Sequence, residues 1–202
     1  MGEIRRDQRR VLQEKRGLTS AACGLAVGDA SNLRLFDEPD ATELHSLIEV
    51  NREELARWLP WAATQTLEDT RKYIEQARAQ AVRDEALQLA LVCDGRIAGA
   101  IGCVSIDWPN RSTGIGYWLA EEFQGRGTMS AAVRALAEHA LRVWDLNRVE
   151  IRVATGNRRS RAIPERLGFR EEGLLRQAQR IGDRVVDLAV YSMLADDSPR
   201  RS

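Results

Sequence analysis

The sequence predicts a single mixed α/β domain, and three observations predict it. A chain of 202 residues is long enough for one well-buried core and short for two domains. Apolar runs of strand character alternate with helical spacing in the order strand, helices, three strands, helix, strand, helix, two strands, which is the pattern of a mixed α/β fold. No linker, repeat or low-complexity tract interrupts the middle of the chain.

The elements follow in order. Residues 1–20 are dense in charge, with little besides Val11 and Leu12 to bury, and are expected to form a flexible or loosely docked extension. The folded domain is expected over 21–195, with 196–202, ending "DDSPRRS", as a disordered tail. "SNLRLFDEP" reads as a strand leaving through a turn. Asp40 and Glu43 are spaced as a capping box for a helix carrying Leu44, Leu47 and Ile48. "NREELARW" reads as a second helix stopped by Pro60. Thr66, with Asp69 three residues on, opens a third through "RKYIEQARAQ".

"LQLALVC" and "IAGAIGCVSI" flank Asp94-Gly95, a hairpin signal whose residues tolerate positive φ. "STGIGYWLA" is a further strand, and "RVEIRVA" alternates as a strand should. A short helix then precedes "GFREEGLLRQAQ", which joins "RVVDLAVYSML" across Gly182-Asp183. Pro164 falls inside that short helix and has no N–H to give the Ser160 carbonyl. A kink or a freed carbonyl is predicted there.

Composition excludes several functions. Thirty basic and thirty acidic side chains leave no formal net charge, so bulk attraction to nucleic acid or acidic membrane is not expected. Cys23, Cys93 and Cys103 lack metal-ligand spacing, and their odd count argues against a disulfide scaffold. With only His45 and His139 besides, no metal site is expected. No apolar run approaches the ~20 residues of a membrane span. "MGEIRRDQRR" lacks the apolar segment of a secretory signal, and Arg6 breaks the myristoylation pattern. A cytoplasmic protein is the expectation.

The stretch that carries chemistry is "FQGRGTMSAAVRALAEHAL", Phe123 to Leu141. A glycine turn opening a helix is a device for holding a diphosphate. The unpaired N–H groups of the first helical turn point at the anion, and the helix dipole favours its charge. Side chains at Gly125 or Gly127 would block close approach of phosphate oxygens. Gln124, Arg126 and Thr128 add hydrogen-bonding groups. An ordinary tight turn remains the alternative. There is no Lys-Ser/Thr pair for a P-loop, and the third glycine of a dinucleotide fingerprint is missing.

"GYWLAEEFQGRGTMSAAV" followed by "NRRSRAIPERLGF" resembles the GCN5-related N-acetyltransferase (GNAT) superfamily. In particular it looks like the branch that acetylates the N-termini of ribosomal proteins. The Q/R-x-x-G-x-G/A signature is met by Gln124, Gly125, Arg126 and Gly127, up to Met129 in the last small position. The N-x-x-S…E-K-x-G-F pattern is met by Asn157, Ser160, Glu165, Arg166, Gly168 and Phe169. The resemblance covers about residues 30–194. It implies the GNAT fold, a mixed, mostly antiparallel central sheet of about seven strands flanked by helices. It also implies acetyl-coenzyme A as donor, an amine acceptor such as a protein N-terminus, and a homodimer.

By the same resemblance, the strand before the turn hydrogen-bonds the pantetheine arm, which singles out Trp118, Leu119 and Ala120. Asn157 and Ser160 fall where the family places polar contacts near the sulfur, although both also suit a helix cap. Many members carry a tyrosine acid four residues before the Gly-Phe pair. Pro164 stands there, so Ser160 is the implied substitute.

The branch's carboxylate base aligns with Gln179, which cannot take a proton. Asp107 is then the best remaining carboxylate, and Glu172 a weaker one. Trp58 and Trp61 flank Leu59-Pro60 at the implied acceptor entrance. Trp58 shares a helix face with Leu55 and Leu59 and so has a packing role open to it, whereas Trp61 is the better cleft wall. Arg158, Arg159 and Arg161 are in reach of the coenzyme's 3′-phosphate. A small-amine acceptor stays open, and Gln179 and Pro164 keep open a module that binds acyl-CoA without turnover.

Overall fold

A computed structural model of the chain describes Leu18, residues 25–28 and residues 30–197. It adds one strand to the seven expected. β1 (Leu25–Gly28) forms a hairpin with β2 (Ser31–Leu35), and its sequence, LAVG, carries no alternation of apolar and polar residues to mark it. α1 (Asp40–Ala56) is one helix of 17 residues where two were expected. Pro60 does not stop that helix but opens a 3₁₀ turn, Pro60–Ala63, because a missing N–H costs nothing at a first helical position.

The capping box expected at Asp40 is absent, since Pro39 precedes the helix with no side-chain cap. Asp40 instead pairs with Arg34 at 2.5 and 2.9 Å and accepts the Asp37 amide at 2.7 Å. Glu43 reaches across to accept the Ile97 amide at 2.7 Å. The box at Thr66 is present: Thr66 and Asp69 exchange side-chain-to-amide bonds, both of 3.1 Å, at the start of α2 (Leu67–Val82).

β3 (Leu87–Cys93) and β4 (Arg96–Asp107) turn over at Asp94 and Gly95, with φ of 50° and 76°, the left-handed pair a two-residue hairpin demands. β5 (Ser112–Leu119) leads through a 3₁₀ turn, Glu121–Phe123, into α3 (Thr128–Arg142). β6 (Arg148–Ala154), α4 (Arg158–Leu167), β7 (Arg170–Ile181) and β8 (Arg184–Leu194) complete the chain. Among the described residues the sheet has eight strands in the order β1-β2-β3-β4-β5-β6-β8-β7.

The expected extension over residues 1–20 lies outside the described residues except for Leu18, which is fully buried and donates its amide to Asp84. The expected tail begins inside a 3₁₀ turn, Ala195–Asp197, and residues 198–202 lie outside the described residues.

Leu89 to Val92 are buried without alternation, so both faces of the central strands are covered. α1 and α2 pack together against β4 and β3, while α3 and α4 pack together with α3 against β1, β5 and β6. α3 turns Met129, Ala132, Val133, Leu136, Ala137, Ala140 and Leu141 inward, the 3.6-residue stripe of a core-facing helix. Each large aliphatic side chain so buried stabilises the fold by about 1.5–3 kcal/mol. That packing fixes the N-terminus of α3 beside the end of β5. Among the described residues no helix is long and apolar enough to cross a membrane, and no group of three His, Cys, Asp or Glu is placed to hold a metal.

Candidate active site

Among the described residues every strand pairing is antiparallel except that of β5 with β6. This parallel register runs only from Ser112–Gly114 against Arg148–Glu150. From Ile115 onward β5 keeps β4 on one side, through Gly99↔Leu119 to Cys103↔Ile115, and parts from β6 on the other. A cleft of about 770 Å³ opens there, lined by Ile115 to Leu119, Ile151 to Ala154, the glycine turn and the start of α4. Backbone groups on the open edge of β5 therefore face the cleft instead of a strand.

The glycine turn closes one end. Gly125 and Gly127 have φ of +79° and +78°, and a Cβ built on either meets nothing within 4 Å. Left-handed backbone makes glycine the fitting residue here, and the empty space is where a ligand can approach. The first helical bond runs from the Ala131 amide to the Gly127 carbonyl at 3.0 Å, so the preceding amides have no intrahelical acceptor. Thr128, Met129 and Ser130 lie on the cleft wall.

Gln124 acts as a brace. Its amide group donates to the Leu119 carbonyl at 2.9 Å and accepts from Arg159 at 3.1 Å, tying the turn to the end of β5 and to α4. Arg126 instead lies exposed on the outside of the turn, donating to the Glu122 carbonyl. Trp118 and Leu119 line the cleft, whereas Ala120 is fully buried with its amide bonded to Ala98 at 2.9 Å. Ala120 thus continues the sheet and offers no group to a ligand.

At the head of α4, Asn157 accepts the Ser160 amide at 3.1 Å, the cap its position predicts. Both residues line the cleft. α4 runs without interruption across Pro164, so the expected kink is absent. The Ser160 carbonyl, left without the helical donor that Pro164 lacks, accepts the Tyr117 hydroxyl at 3.0 Å. It is therefore released by the helix but not left unpaired. The Ser160 hydroxyl in turn donates to the Tyr117 hydroxyl at 3.3 Å. Burial pushes the Tyr117 phenol up to about 12, outweighing the lowering by its bond to Ser160.

The aromatic expectation is reversed. Trp58 lines the cleft, and a Cβ on Gly156 would come within 3.3 Å of its ring, so glycine makes room for the wall. Trp61 is off the cleft wall and stacks edgewise on Trp118, with ring centroids 6.3 Å apart.

Asp107 does not reach the cleft. It is exposed at the far end of β4, opposite Ser112, roughly 17 Å of strand from Tyr117. Its carboxylate accepts the Asn110 amide at 3.0 Å and the Asn110 side chain at 2.7 Å, and those bonds hold its pKa below the usual range. Glu172 is likewise committed, to Arg148 at 2.8 Å and Ser192 at 2.7 Å. Gln179 does line the cleft.

The carboxylates on the cleft wall are Glu54 and Glu121, neither singled out by the sequence. Glu54 sits on α1 four residues before Trp58 and pairs with Arg57 at 3.1 Å. Its helical spacing from the tryptophan was the available signal. Arg159 and Arg166 also line the cleft. Arg161 is taken up by Tyr191 at 2.7 Å and Glu171 at 3.3 Å.

Residues 32–170 match the family described as the acetyltransferase (GNAT) domain. The chain is 38% identical over 170 residues, 83% of its length and 93% of the relative, to YdaF of Bacillus subtilis strain 168, whose name provisionally makes it a ribosomal N-acetyltransferase. It is 31% identical over 173 residues, 85% of its length and 97% of the relative, to the ribosomal-protein-serine acetyltransferase of Escherichia coli K12. The solved structure of RimL, a ribosomal L7/L12 α-N-protein acetyltransferase in complex with coenzyme A, superposes with a TM-score of 0.83. That match has 30% identity and covers 87% of this chain and all of the other.

Proposed function

The chain belongs to the GNAT acetyltransferase family and is an acetyl-CoA-dependent N-acetyltransferase, and from that premise we propose that it acetylates the α-amine of a protein N-terminus of the ribosomal-protein kind. The observation that carries the donor half is the parting of β5 from β6 with the glycine turn across its end. The amides from Gly125 to Ser130 receive the diphosphate, and the open edge of Ile115–Leu119 receives the pantetheine arm. Arg159, on the cleft wall, serves the 3′-phosphate.

Transfer forms a nitrogen–carbon bond and breaks a carbon–sulfur bond; the amine loses one proton and the departing sulfur gains one. Ser160, on the cleft wall, supplies the proton to sulfur. Glu54, on the same wall beside Trp58, draws in the acceptor ammonium and takes its first proton before attack. The second leaves nitrogen after attack, passes to water in the cleft and replaces the one that Ser160 gives to sulfur.

The acceptor half rests on the names of the relatives and on the modest base. An α-amine of pKa about 7.8 is roughly a tenth neutral at pH 7, against a few parts in ten thousand for lysine. A site whose base is a half-buried carboxylate already paired with Arg57, and not a fully buried one, suits the former. The test is thiol release from acetyl-CoA over peptides with free or blocked N-termini, internal lysines and small amines. Turnover confined to free N-termini supports the proposal. Preference for a small amine moves the acceptor assignment, and coenzyme binding without turnover on any acceptor removes it.

We also propose a homodimer through the outer edge of β7. That strand of 12 residues ends the sheet, and Leu174 and Leu175 stand exposed on it.

A further inference from the structure

We propose that Tyr117 is a positioning residue for Ser160, set against α4 in compensation for Pro164. The inference rests on the reading of Ser160 as the proton donor. Ser160 is held at all three of its polar groups. Asn157 takes its amide at 3.1 Å, the Tyr117 hydroxyl donates to its carbonyl at 3.0 Å, and its own hydroxyl donates to Tyr117 at 3.3 Å. One phenol from β5 thus fixes both the backbone and the side chain of a residue on α4. The two elements are far apart in sequence and meet where β5 has lost β6 as a neighbour.

Pro164 is what makes this arrangement available. An ordinary residue at 164 would donate its amide to the Ser160 carbonyl and close the helical turn. Proline cannot, and the acceptor so released would be costly if left buried without a partner. Tyr117 fills the vacancy. Burial keeps its phenol protonated, raised to about 12, so its proton is always available to that carbonyl. Its oxygen then serves as acceptor for the Ser160 hydroxyl, which restricts where the hydroxyl can swing. When sulfur leaves, the Ser160 proton turns off the Tyr117 oxygen and passes to sulfur, and the serine oxygen regains, through water in the cleft, the proton that the acetylated nitrogen releases. The Tyr117 proton stays on its own oxygen throughout.

The structural duty of Tyr117 is separable from the positioning one. In Pro164→Ala the restored amide can satisfy the Ser160 carbonyl without help from Tyr117. Four variants are compared for thermal midpoint, kcat and KM for acetyl-CoA: Tyr117→Phe, Ser160→Ala, Tyr117→Phe with Pro164→Ala, and Tyr117→Phe with Ser160→Ala. Tyr117→Phe is expected to lower the midpoint and to cut kcat about 10- to 100-fold, with KM changed less than about twofold. Adding Pro164→Ala should return the midpoint but not kcat. Adding Tyr117→Phe to Ser160→Ala should cost no further kcat, because the serine hydroxyl it orients has gone.

Recovery of kcat together with the midpoint in the Pro164→Ala background would show a purely structural tyrosine and overturn the inference. Additive losses with Ser160→Ala, or full kcat in Tyr117→Phe alone, would overturn it too. If Ser160→Ala by itself turns over at the parent rate, the proton-donor reading fails first and takes this one with it.

Discussion

A glutamate at position 127 is the most direct challenge to the site at the scale of single residues. The backbone there holds φ at +78° with open space beyond, so a side chain costs about 1–2 kcal/mol of strain and projects where the diphosphate is to lie. Gly127→Glu is expected to abolish coenzyme A binding in calorimetry while leaving the far-ultraviolet circular dichroism intact. Binding within tenfold of the parent would remove the turn from the site. Glu54→Gln should lower kcat/KM for an N-terminal peptide about tenfold at pH 7 and by much less at pH 9, where an amine of pKa about 7.8 is already neutral. A loss equal at both values of pH would leave Glu54 a charge or packing role only. The Gly125–Gly127 turn and the Asn157 cap on Ser160 were legible in the sequence because each is complete within a few residues. The place of Glu54 and Tyr117 on the cleft wall was not, since they arrive from α1 and β5 and only the fold brings those elements together.

Between elements, Glu172 staples three strands. From β7 it accepts Arg148 of β6 at 2.8 and 2.5 Å and the Ser192 hydroxyl of β8 at 2.7 Å. Arg148 and then Ser192 hold its carboxyl at about 2, below its ordinary 4.5. A depressed carboxylate contributes stability that is complete above the unfolded pKa and is lost as pH falls through the folded one. Urea midpoints of Glu172→Gln should therefore lie below the parent at pH 6, with the gap narrowing from about pH 4.5 toward pH 2. A gap independent of pH would exclude the charge as its source. The local signals that succeeded, such as the Thr66–Asp69 box and the Asp94-Gly95 turn, are complete within four residues. The one at Asp40 failed because Arg34 and the Asp37 amide compete for the same carboxylate, and Glu43 is drawn to β4. Tertiary partners outbid the helix start, and no window of sequence contains them.

For the molecule as a whole, strand order and the single parallel pairing decide where the cleft lies, and alternation along a strand says nothing about its neighbours. The resemblance carried that information; periodicity could not. Among the described residues the sheet also leaves β7 as an unpaired edge, with Leu174 50% and Leu175 38% exposed. A long edge with apolar side chains pairs readily with another copy unless it is covered or charged, and a two-fold axis makes one such patch complementary to itself. Light scattering at micromolar concentration should therefore return twice the chain mass of 22.7 kDa. Leu175→Lys should shift the population toward the single-chain mass by setting like charges against each other across the axis. This residue lies off the cleft wall, so coenzyme binding should persist in the variant. A parent protein that remains at 22.7 kDa through the concentration range, or a Leu175→Lys dimer as tight as the parent, would place the contact elsewhere or remove it.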